Sequence, residues 1–378
     1  MKIIITDAHS RKAFDIINIL ERVYDYDLLL FAPAGYSFQL PVIYGQKVHR
    51  LRPEPYPDFR SDFLAALQQD PDEEFIYMPV SEEPTLHFYD LMEEDHGFKI
   101  RYLLPEKEKI ELARDKQRFQ IFCEENGFPV PKSYTSDSLQ QLQEEFRPVI
   151  AKKKIGAGSV GMKFIEKPEQ LPQLTGLDDN EYLIQEYIQS SKKVNGGFYL
   201  CKDGEVVAFH GHERIRTFPE KGGVTVFSKA GYNEELKQTG ADLLKKLNWN
   251  GFAMIEFLHD DQTESWKIIE LNPRLWGSVM LAEYCESGLL DGYIRLAIGE
   301  KVSEKMIETE RYIRWVLPFE LISFLKGSIN RKELTNAAGL PVCYINFTYS
   351  GRIRALLFQL YFTFNGRSIK RFIKKLMP

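Results

Sequence analysis

Residues 251–274 read GFAMIEFLHDDQTESWKIIELNPR, with two apolar runs on either side of a polar turn. This pattern predicts a β-hairpin. Because side chains two residues apart on a strand share a face, Glu270 and Asn272 point the same way, and Glu256 can join them from the partner strand. Two carboxylates and an amide oxygen on one face, with Arg274 two residues further on, predict a site for Mg²⁺, which prefers oxygen ligands.

Mg²⁺ in a site of this kind mainly carries the phosphates of a nucleotide, so the hairpin favours nucleotide binding. A solvated strand edge that ends in the Asn272-Pro273 turn explains the same residues without any ligand. The hairpin residues alone are compatible with both interpretations.

Composition limits the classes of protein that fit. The chain has 378 residues, 44% apolar and 27% charged, which is typical of a soluble globular protein with two or three lobes. A net charge of −5 argues against nucleic-acid binding, which usually leaves a basic footprint. The four cysteines are far apart, so neither a disulfide framework nor a zinc site is expected, and the cytoplasm is the expected compartment. Neither a signal-peptide pattern nor an apolar run of membrane-spanning length is expected.

The first hundred residues alternate strand and helix patterns, which predicts a parallel sheet with crossover helices. A glycine motif for a dinucleotide is missing after the first strand, where the chain reads Thr6-Asp-Ala-His-Ser10. The loop Pro79–Pro84 follows a strand and opens a helix, so it could contact a substrate, although a helix N-cap explains Ser81 equally well. The predicted strands are 2–6, 26–31 and 75–78, and the predicted helices are 12–23, 62–69 and 85–94.

A glycine-rich segment follows a predicted long helix over 106–126 and a short one over 138–146. It contains Gly156, Gly158 and Gly161 in a Gly-x-Gly-x-x-Gly pattern. A Rossmann motif needs a helix next, whereas residues 162–166 predict a strand, and a Walker A motif needs a following Lys-Ser/Thr. A hairpin loop whose backbone N–H groups close over phosphates remains, with Lys152 beside it as a phosphate partner. A flexible hairpin without a ligand is the alternative.

Residues 206–216 predict a strand on which His210, His212, Arg214 and Arg216 share one face. Four potential cations repel one another unless an anion lies against them, so this face predicts anion binding. A zinc site is the weaker alternative, because a third ligand is missing near the two histidines.

Taken together, these segments resemble the ATP-grasp superfamily, and their order along the chain is the family's order. The resemblance rests on Asp115-Lys116, on PVIAKK with GAGSVG (148–161), on LIQEYI (183–188), and on the hairpin motifs NGFAMIEF and IIELNPRLWGS. The segment HERIRTFPEKGG (212–223) resembles the basic strand of the carbamoyl-phosphate-synthase-like carboxylate–amine ligases. The resemblance implies an α/β ATP-grasp fold over 106–300, with a lid subdomain at about 130–188. A Rossmann-like pre-ATP-grasp lobe over 1–105 would precede it, and a C-terminal extension over 301–378 would follow.

The resemblance also implies roles for individual residues, all of them expectations. Glu256, Glu270 and Asn272 would hold Mg²⁺, with Mn²⁺ as a substitute, and Arg274 and Arg214 would act at the transferred phosphoryl group or the substrate. The residues expected to contact ATP are Lys116, Lys152, Gly156, Gly158, Ser159, Gly161, Gln185, Glu186, Tyr187 and Ile188. An acidic residue that usually binds the ribose is missing from Ser190–Asn195, where Asn195 or a shifted register would substitute.

The implied activity is an ATP-dependent ligase that converts a carboxylate to an acyl phosphate and couples it to an amine, with both substrates small molecules. One alternative is a catalytically silent ATP-binding or scaffold protein, and a kinase-like or carboxylase use of the fold stays open. A biotin-dependent carboxylase is not expected, because a carrier domain is missing from this length of chain. A homodimer is compatible with the sequence, which leaves the oligomeric state open.

The C-terminal segment is basic and amphipathic. Residues 351–378 contain seven lysines and arginines and no acidic residue, interleaved with apolar runs. Such a segment can lie on an anionic membrane surface. A helix that packs on the protein body with its charges in water is the favoured interpretation.

Overall fold

The computed structural model describes residues 1–36, 39–52, 56–135, 142, 144–156, 161–192, 194–219, 223–303, 310–332, 343–345 and 348–364. Three β-sheets organise the chain: a parallel sheet of five strands, an antiparallel-rich sheet of seven, and a small sheet of four. The fold is therefore mixed α/β, as the sequence predicted.

The first sheet is parallel and has the strand order β3-β2-β1-β4-β5. Helices α1 to α4 connect its strands, as the alternating sequence pattern predicted. Its central strands are buried, and Ile3, Ile4 and Ile5 have no exposed surface. The bounds are β1 Lys2–Ile5, α1 Arg11–Arg22, β2 Asp27–Pro33, α2 Leu40–Tyr44, β3 Val48–Leu51, α3 Phe59–Leu67, β4 Glu74–Tyr77, α4 Glu82–Met92 and β5 Lys99–Arg101.

The predicted long helix over 106–126 is two helices, α5 (Lys107–Arg114) and α6 (Lys116–Glu125). Asp115 between them has an extended backbone, and its carboxylate accepts hydrogen bonds from the N–H groups of Gln117 and Arg118. An aspartate in this position caps a new helix instead of continuing the old one. The apolar periodicity runs through the break, which is why the sequence pattern did not reveal it.

The small sheet has the order β6-β9-β7-β8 and carries the glycine-rich hairpin. Its strands are β6 Ser133–Tyr134, β7 Val149–Lys153, β8 Lys163–Ile165 and β9 Tyr182–Glu186, with a 3₁₀ helix over Pro168–Leu174. Strands β7 and β8 pair as an antiparallel hairpin, as predicted. The loop residues 157–160 and most of the predicted helix 138–146 lie outside the described residues.

The seven-stranded sheet has the order β14-β13-β10-β11-β12-β15-β16. Its strands are β10 Asn195–Lys202, β11 Glu205–Phe218, β12 Val224–Ala230, β13 Gly251–Asp260, β14 Ser265–Asn272, β15 Tyr312–Arg314 and β16 Cys343–Ile345. The helices that follow are α7 Glu234–Lys246, α8 Val279–Tyr284, α9 Leu289–Ala297, α10 Leu321–Leu325 and α11 Arg352–Phe364, with a π-helical turn over Val316–Glu320. The hairpin predicted over 251–274 is β13–β14.

The five-stranded parallel sheet and helices α1 to α4 are called the first lobe below. Helix α11 packs one face on it. Phe358 stacks on Phe14 of α1 with ring centroids 4.0 Å apart, and Arg354 donates to the side chain of Asn18 (3.1 Å) and pairs with Glu21 (2.5 Å). The opposite face leaves apolar side chains in solvent: Ile353, Leu356, Leu357 and Leu360. The favoured packing of the tail is therefore observed for 352–364, whereas 365–378 lie outside the described residues.

Across the described ranges, we find no helix with both the length and the apolar content needed to cross a bilayer.

Candidate functional site

A cavity of about 700 Å³ lies where the small sheet, the β13–β14 hairpin and the first lobe meet. Its lining includes the described residues that were expected to contact ATP, to bind Mg²⁺ or to act in catalysis, with Gly161 as the exception: Lys116, Lys152, Gly156, Gln185, Glu186, Tyr187, Ile188, Arg214, Glu256, Glu270, Asn272 and Arg274. Residues that are scattered over 159 positions of the sequence thus face one space.

The two carboxylates of the hairpin lie directly opposite each other. The β13–β14 register pairs Glu256 with Glu270 and Met254 with Asn272, so all three polar side chains lie at one end of the ladder. Glu256 is ion-paired with Arg214 of β11. Burial raises the pKa of Glu256, and the neighbouring Glu270 adds to this while Arg214 opposes it. Two carboxylates and an amide oxygen are a donor set that fits Mg²⁺.

Arg274 is held in place by the first lobe. Its Nε donates to the Glu82 carboxylate at 3.0 Å, and its Nη2 donates to Asn272 Oδ1 at 2.8 Å. Glu82 begins α4, directly after the loop 79–84. Ser81 is the N-cap residue of α4, as the alternative interpretation expected, although its side chain makes no capping hydrogen bond. The loop reaches the site through Glu82.

Two lysines lie where phosphates would be held. Lys116 opens α6 and donates to the Gly156 carbonyl at 2.8 Å, which ties this helix to the glycine-rich loop. Lys152 on β7 is buried, and among the described residues its ammonium makes one long hydrogen bond, 3.5 Å, to the Ile269 carbonyl. Burial lowers the pKa of Lys152 to about 8, with Glu270 raising it and Lys116 lowering it further. A buried ammonium with weak internal partners favours an anion beside it.

Gly156 and Gly161 flank the glycine-rich loop, and both have positive φ angles, 152° and 77°. Glycine is the residue that adopts such conformations at little cost. Gly158 and Ser159 lie outside the described residues, so their expected contacts with phosphate stay predictions.

The segment 185–188 forms one edge of the cavity, but its side chains are partly committed. Gln185 is buried and donates to the Gln120 side chain, and Glu186 accepts from Lys267 at 2.6 Å. The Tyr187 N–H donates to the Pro148 carbonyl at 2.9 Å, so this N–H is not available to hydrogen-bond an adenine base. The backbone of Ile188 and the Tyr187 carbonyl remain for that role.

Ser190 and Lys192 line the cavity in the region where a ribose-binding acid was missing from the sequence. The Ser190 hydroxyl donates to the Lys192 carbonyl at 2.9 Å. Asn195, the expected substitute, begins β10 and pairs with Glu213 and Phe257 in the sheet.

The prediction of four cations on one face of β11 was wrong in two respects. His210 and His212 are buried, and burial lowers the pKa of His210 to about 4 and that of His212 well below its usual value, so both are neutral. The two arginines have acidic partners, Glu256 for Arg214 and Glu320 for Arg216. Bulges beside Arg216 also break the strict alternation of the strand. His212 still lines the cavity, where its Nδ1 lies 2.9 Å from the Ser278 hydroxyl.

Sequence reasoning missed the residues that reach the cavity from the first lobe. Arg11 at the start of α1 lines it, and Glu82 orients Arg274. The clue to Arg11 was a basic residue directly after Ser10, the N-cap of α1, in the turn where dinucleotide folds carry glycines. The lining carries seven lysines and arginines, Arg11, Lys116, Lys152, Lys153, Lys192, Arg214 and Arg274, against three glutamates, Glu186, Glu256 and Glu270. An excess of positive charge in a concave site attracts anions such as polyphosphates.

This geometry agrees with a family comparison. Residues 113–278 match the family model described as ATP-grasp domain. The chain therefore carries an ATP-grasp domain, and the fold that the sequence predicted is confirmed.

Known proteins of this fold are similar along much of the chain. A biotin carboxylase from Populus trichocarpa is 23% identical over 231 residues, which cover 56% of this chain and 43% of that protein. A carbamoyl phosphate synthase large chain from Methanobrevibacter smithii is 24% identical over 198 residues, covering 48% and 19%. The matches thus span less than half the length of either relative. The biotin carboxylase domain of a Hydrogenobacter thermophilus 2-oxoglutarate carboxylase superimposes with a TM-score of 0.64 at 16% identity, covering 82% and 73%. That structure is a dimer in complex with MgADP, ADP and bicarbonate.

Proposed function

We propose that this protein is an ATP-dependent ligase that activates a carboxylic acid as an acyl phosphate and couples it to an amine. The observation that carries the proposal is the convergence of Lys116, Lys152, the Glu256/Glu270/Asn272 set and Arg274 on one cavity. The names of the relatives, a biotin carboxylase and a carbamoyl phosphate synthase, support this type of chemistry. Those comparisons give no support to the alternative of a silent nucleotide binder.

The proposed reaction has two steps. A carboxylate oxygen of the acid attacks the γ-phosphorus of ATP, the bond to the β-phosphate oxygen breaks, and ADP leaves. The amine nitrogen then attacks the acyl carbon, the carbon–oxygen bond to phosphate breaks, and phosphate leaves as the nitrogen loses a proton. Because neither step needs a covalent bond to the protein, positioning and charge neutralisation are the protein's work.

The residues divide this work by position. Lys116 and Lys152 would hold the polyphosphate, and the apolar walls Ile150, Ile188 and Ile269 would take the adenine. Glu256, Glu270 and Asn272 would bind Mg²⁺, or Mn²⁺ in its place, and the ion would neutralise charge on the phosphoryl oxygens. Arg274 would offset the charge that builds up on the transferred group. Arg214 would change partner from Glu256 to the substrate once the ion binds that carboxylate.

The proposal is tested by measuring ADP and phosphate release from MgATP with purified protein and pooled carboxylic acids, hydroxy acids and amines. Release that rises with one acid pool and needs an amine pool for its full rate supports the ligase. ATP binding without release in any pool would overturn it. Bicarbonate belongs in the acid panel, since the Hydrogenobacter structure contains that anion and a carboxylase use of the fold predicts it as the sole acid.

We also propose that the chain divides into three units, 1–105, 106–300 with a lid at about 130–188, and 301–378. We propose the cytoplasm as its compartment. We propose that α11 closes the first lobe instead of binding a membrane, because its Arg354 and Phe358 are engaged by that lobe. Co-sedimentation with anionic liposomes that is lost when Leu356 and Leu360 become serine would overturn that assignment.

A further inference from the structure

A second cavity, of about 250 Å³, lies beside the first at the N-terminal end of α1. Aromatic side chains form much of its wall, and two of them come from α11: Tyr361 and Phe362. The ring of His9 stacks on Tyr36 with centroids 4.5 Å apart, and both rings line the same space. Flat aromatic walls of this kind suit a flat apolar body.

Arg11 and Gly277 line both cavities and so mark the place where the two meet. A Cβ atom at position 277 would lie 3.7 Å from Arg11 Nη2, an ordinary contact, so a larger side chain there would enter the junction beside Arg11. Gly277 directly precedes Ser278 and follows the Arg274–Trp276 segment of the first cavity. A molecule could therefore extend from beside Arg274 into the second cavity.

Arg11 has hydrogen-bonding capacity to spare at this junction. Its guanidinium lies 5.3 Å from the Trp315 ring centroid and 6.0 Å from that of Phe319. Its Nη1 is buried and has no hydrogen-bond partner among the residues the structure describes. Asp15, one turn along α1, does not neutralise it at neutral pH, because burial raises the pKa of that carboxyl to about 8. A buried guanidinium nitrogen without a partner is costly, and a carboxylate ligand would remove that cost.

We propose that the second cavity holds the body of the acid substrate, an organic acid with a flat apolar body, whose carboxylate lies at the junction between Arg11 and Arg274. This inference rests on the proposed function and names the substrate class of the same site. An anion as small as bicarbonate leaves the aromatic cavity unfilled, since 250 Å³ is many times the roughly 10–15 Å³ of cavity volume that one water molecule needs.

The positive side chains of the second cavity fit an acid better than an amine. Lys12 lies there beside Arg11 and donates to the Val80 carbonyl. Burial lowers the pKa of Lys12 to about 7, Arg274 lowers it further, and Asp7 and Glu82 raise it. An anion at the junction would favour the charged form of Lys12, whereas a second cation would be repelled by Arg11 and Arg274. The amine substrate is expected to approach from another side of the first cavity.

The test uses the full chain loaded with MgADP and a panel of benzoate, trans-cinnamate and indole-3-acetate, with acetate and bicarbonate as small acids. Binding is followed by isothermal titration, and ADP release from MgATP is measured separately. Gly277→Leu places a side chain in the junction without a positive φ angle, and Gly277→Ala is the milder version. Gly231→Leu is the matched control, since position 231 is open and exposed and lines neither cavity.

We expect at least one aromatic acid to bind to the wild type and to Gly231→Leu, and its affinity to fall at least tenfold more than the ADP affinity does in Gly277→Leu. Aromatic acids that do not bind, or that bind equally to the Gly277 variants with intact ADP binding, would overturn the inference. Stimulation of ADP release by bicarbonate alone overturns it too, and leaves ATP-dependent activation standing. Gly277-dependent acid binding without any ADP release would instead remove the proposed function and leave the acid site.

Discussion

The Arg274 guanidinium lies 3.0 Å from the Glu82 carboxylate, although 192 residues separate them in the chain. This ion pair joins the metal-site hairpin to the first lobe. The group proposed to face the transferred phosphoryl is thus aimed by a residue of another sheet, so the two lobes are coupled at the reacting centre.

Replacing Glu82 with glutamine should lower the maximal rate of ADP formation with little change in the KM for ATP. The reason is that Arg274 would lose a charge-assisted hydrogen bond worth about 1.5–3 kcal/mol, equivalent to roughly a tenfold to hundredfold rate effect. Glu83→Gln is the matched control, since both glutamates pair with Arg114 and Glu82 alone of the two pairs with Arg274. Equal losses in both variants would show that only the contact with Arg114 matters.

Glu270→Ala should abolish ATP turnover and leave the fold intact. The fold should survive because the β13–β14 register is also set by the neighbouring residue pairs. Turnover should be lost because a Mg²⁺ ion would lose one of its two facing carboxylates. Turnover at increasing Mg²⁺ and the circular dichroism spectrum measure the two effects. A folded variant with wild-type turnover would remove the metal assignment.

ATP affinity should fall as pH rises through about 8. The free protein holds Lys152 with a pKa of about 8, so this lysine is charged below that pH and neutral above it. Bound polyphosphate favours the charged form and raises the pKa, so binding above pH 8 takes up a proton and weakens by up to about tenfold per pH unit. Titrations in buffers of different ionisation enthalpy count that proton. Lys152→Met should remove the proton uptake, and a pH dependence that survives in that variant would locate it elsewhere.

Phe358→Ala should destabilise the protein by about 3–5 kcal/mol, the usual cost of removing a buried phenylalanine. The ring is 1% exposed and stacks on Phe14, so a cavity would open between α1 and α11. Leu356→Ala on the exposed face is the control and should change stability by less than about 0.5 kcal/mol. Urea unfolding followed by tryptophan fluorescence compares the two. Similar shifts in both variants would mean that α11 is not docked as described.

The sequence was most informative where a function imposes a local pattern. The Glu256–Asn272 hairpin is predictable because strand alternation and a turn place its oxygens on one face without help from the rest of the fold. The helix break at Asp115 was missed because its sign in the sequence is a single capping aspartate within an otherwise helical pattern. Arg11 and Glu82 were missed because their roles depend on how the first lobe packs against the β13–β14 hairpin. A contact between segments so far apart in the chain leaves no trace in the local sequence pattern. The neutral state of His210 follows from burial, which the strand pattern alone did not reveal.

The docking of α11 on α1 has a consequence for how the chain can be divided. Phe14 and Glu21 meet Phe358 and Arg354, partners that arrive more than three hundred residues later in synthesis. Until then, Phe14 has Tyr44 as an aromatic neighbour but lacks Phe358, so part of its helix face stays uncovered. An isolated fragment of residues 1–105 would therefore be prone to self-association, and a two-plasmid complementation experiment would need to supply the last helix together with the first lobe.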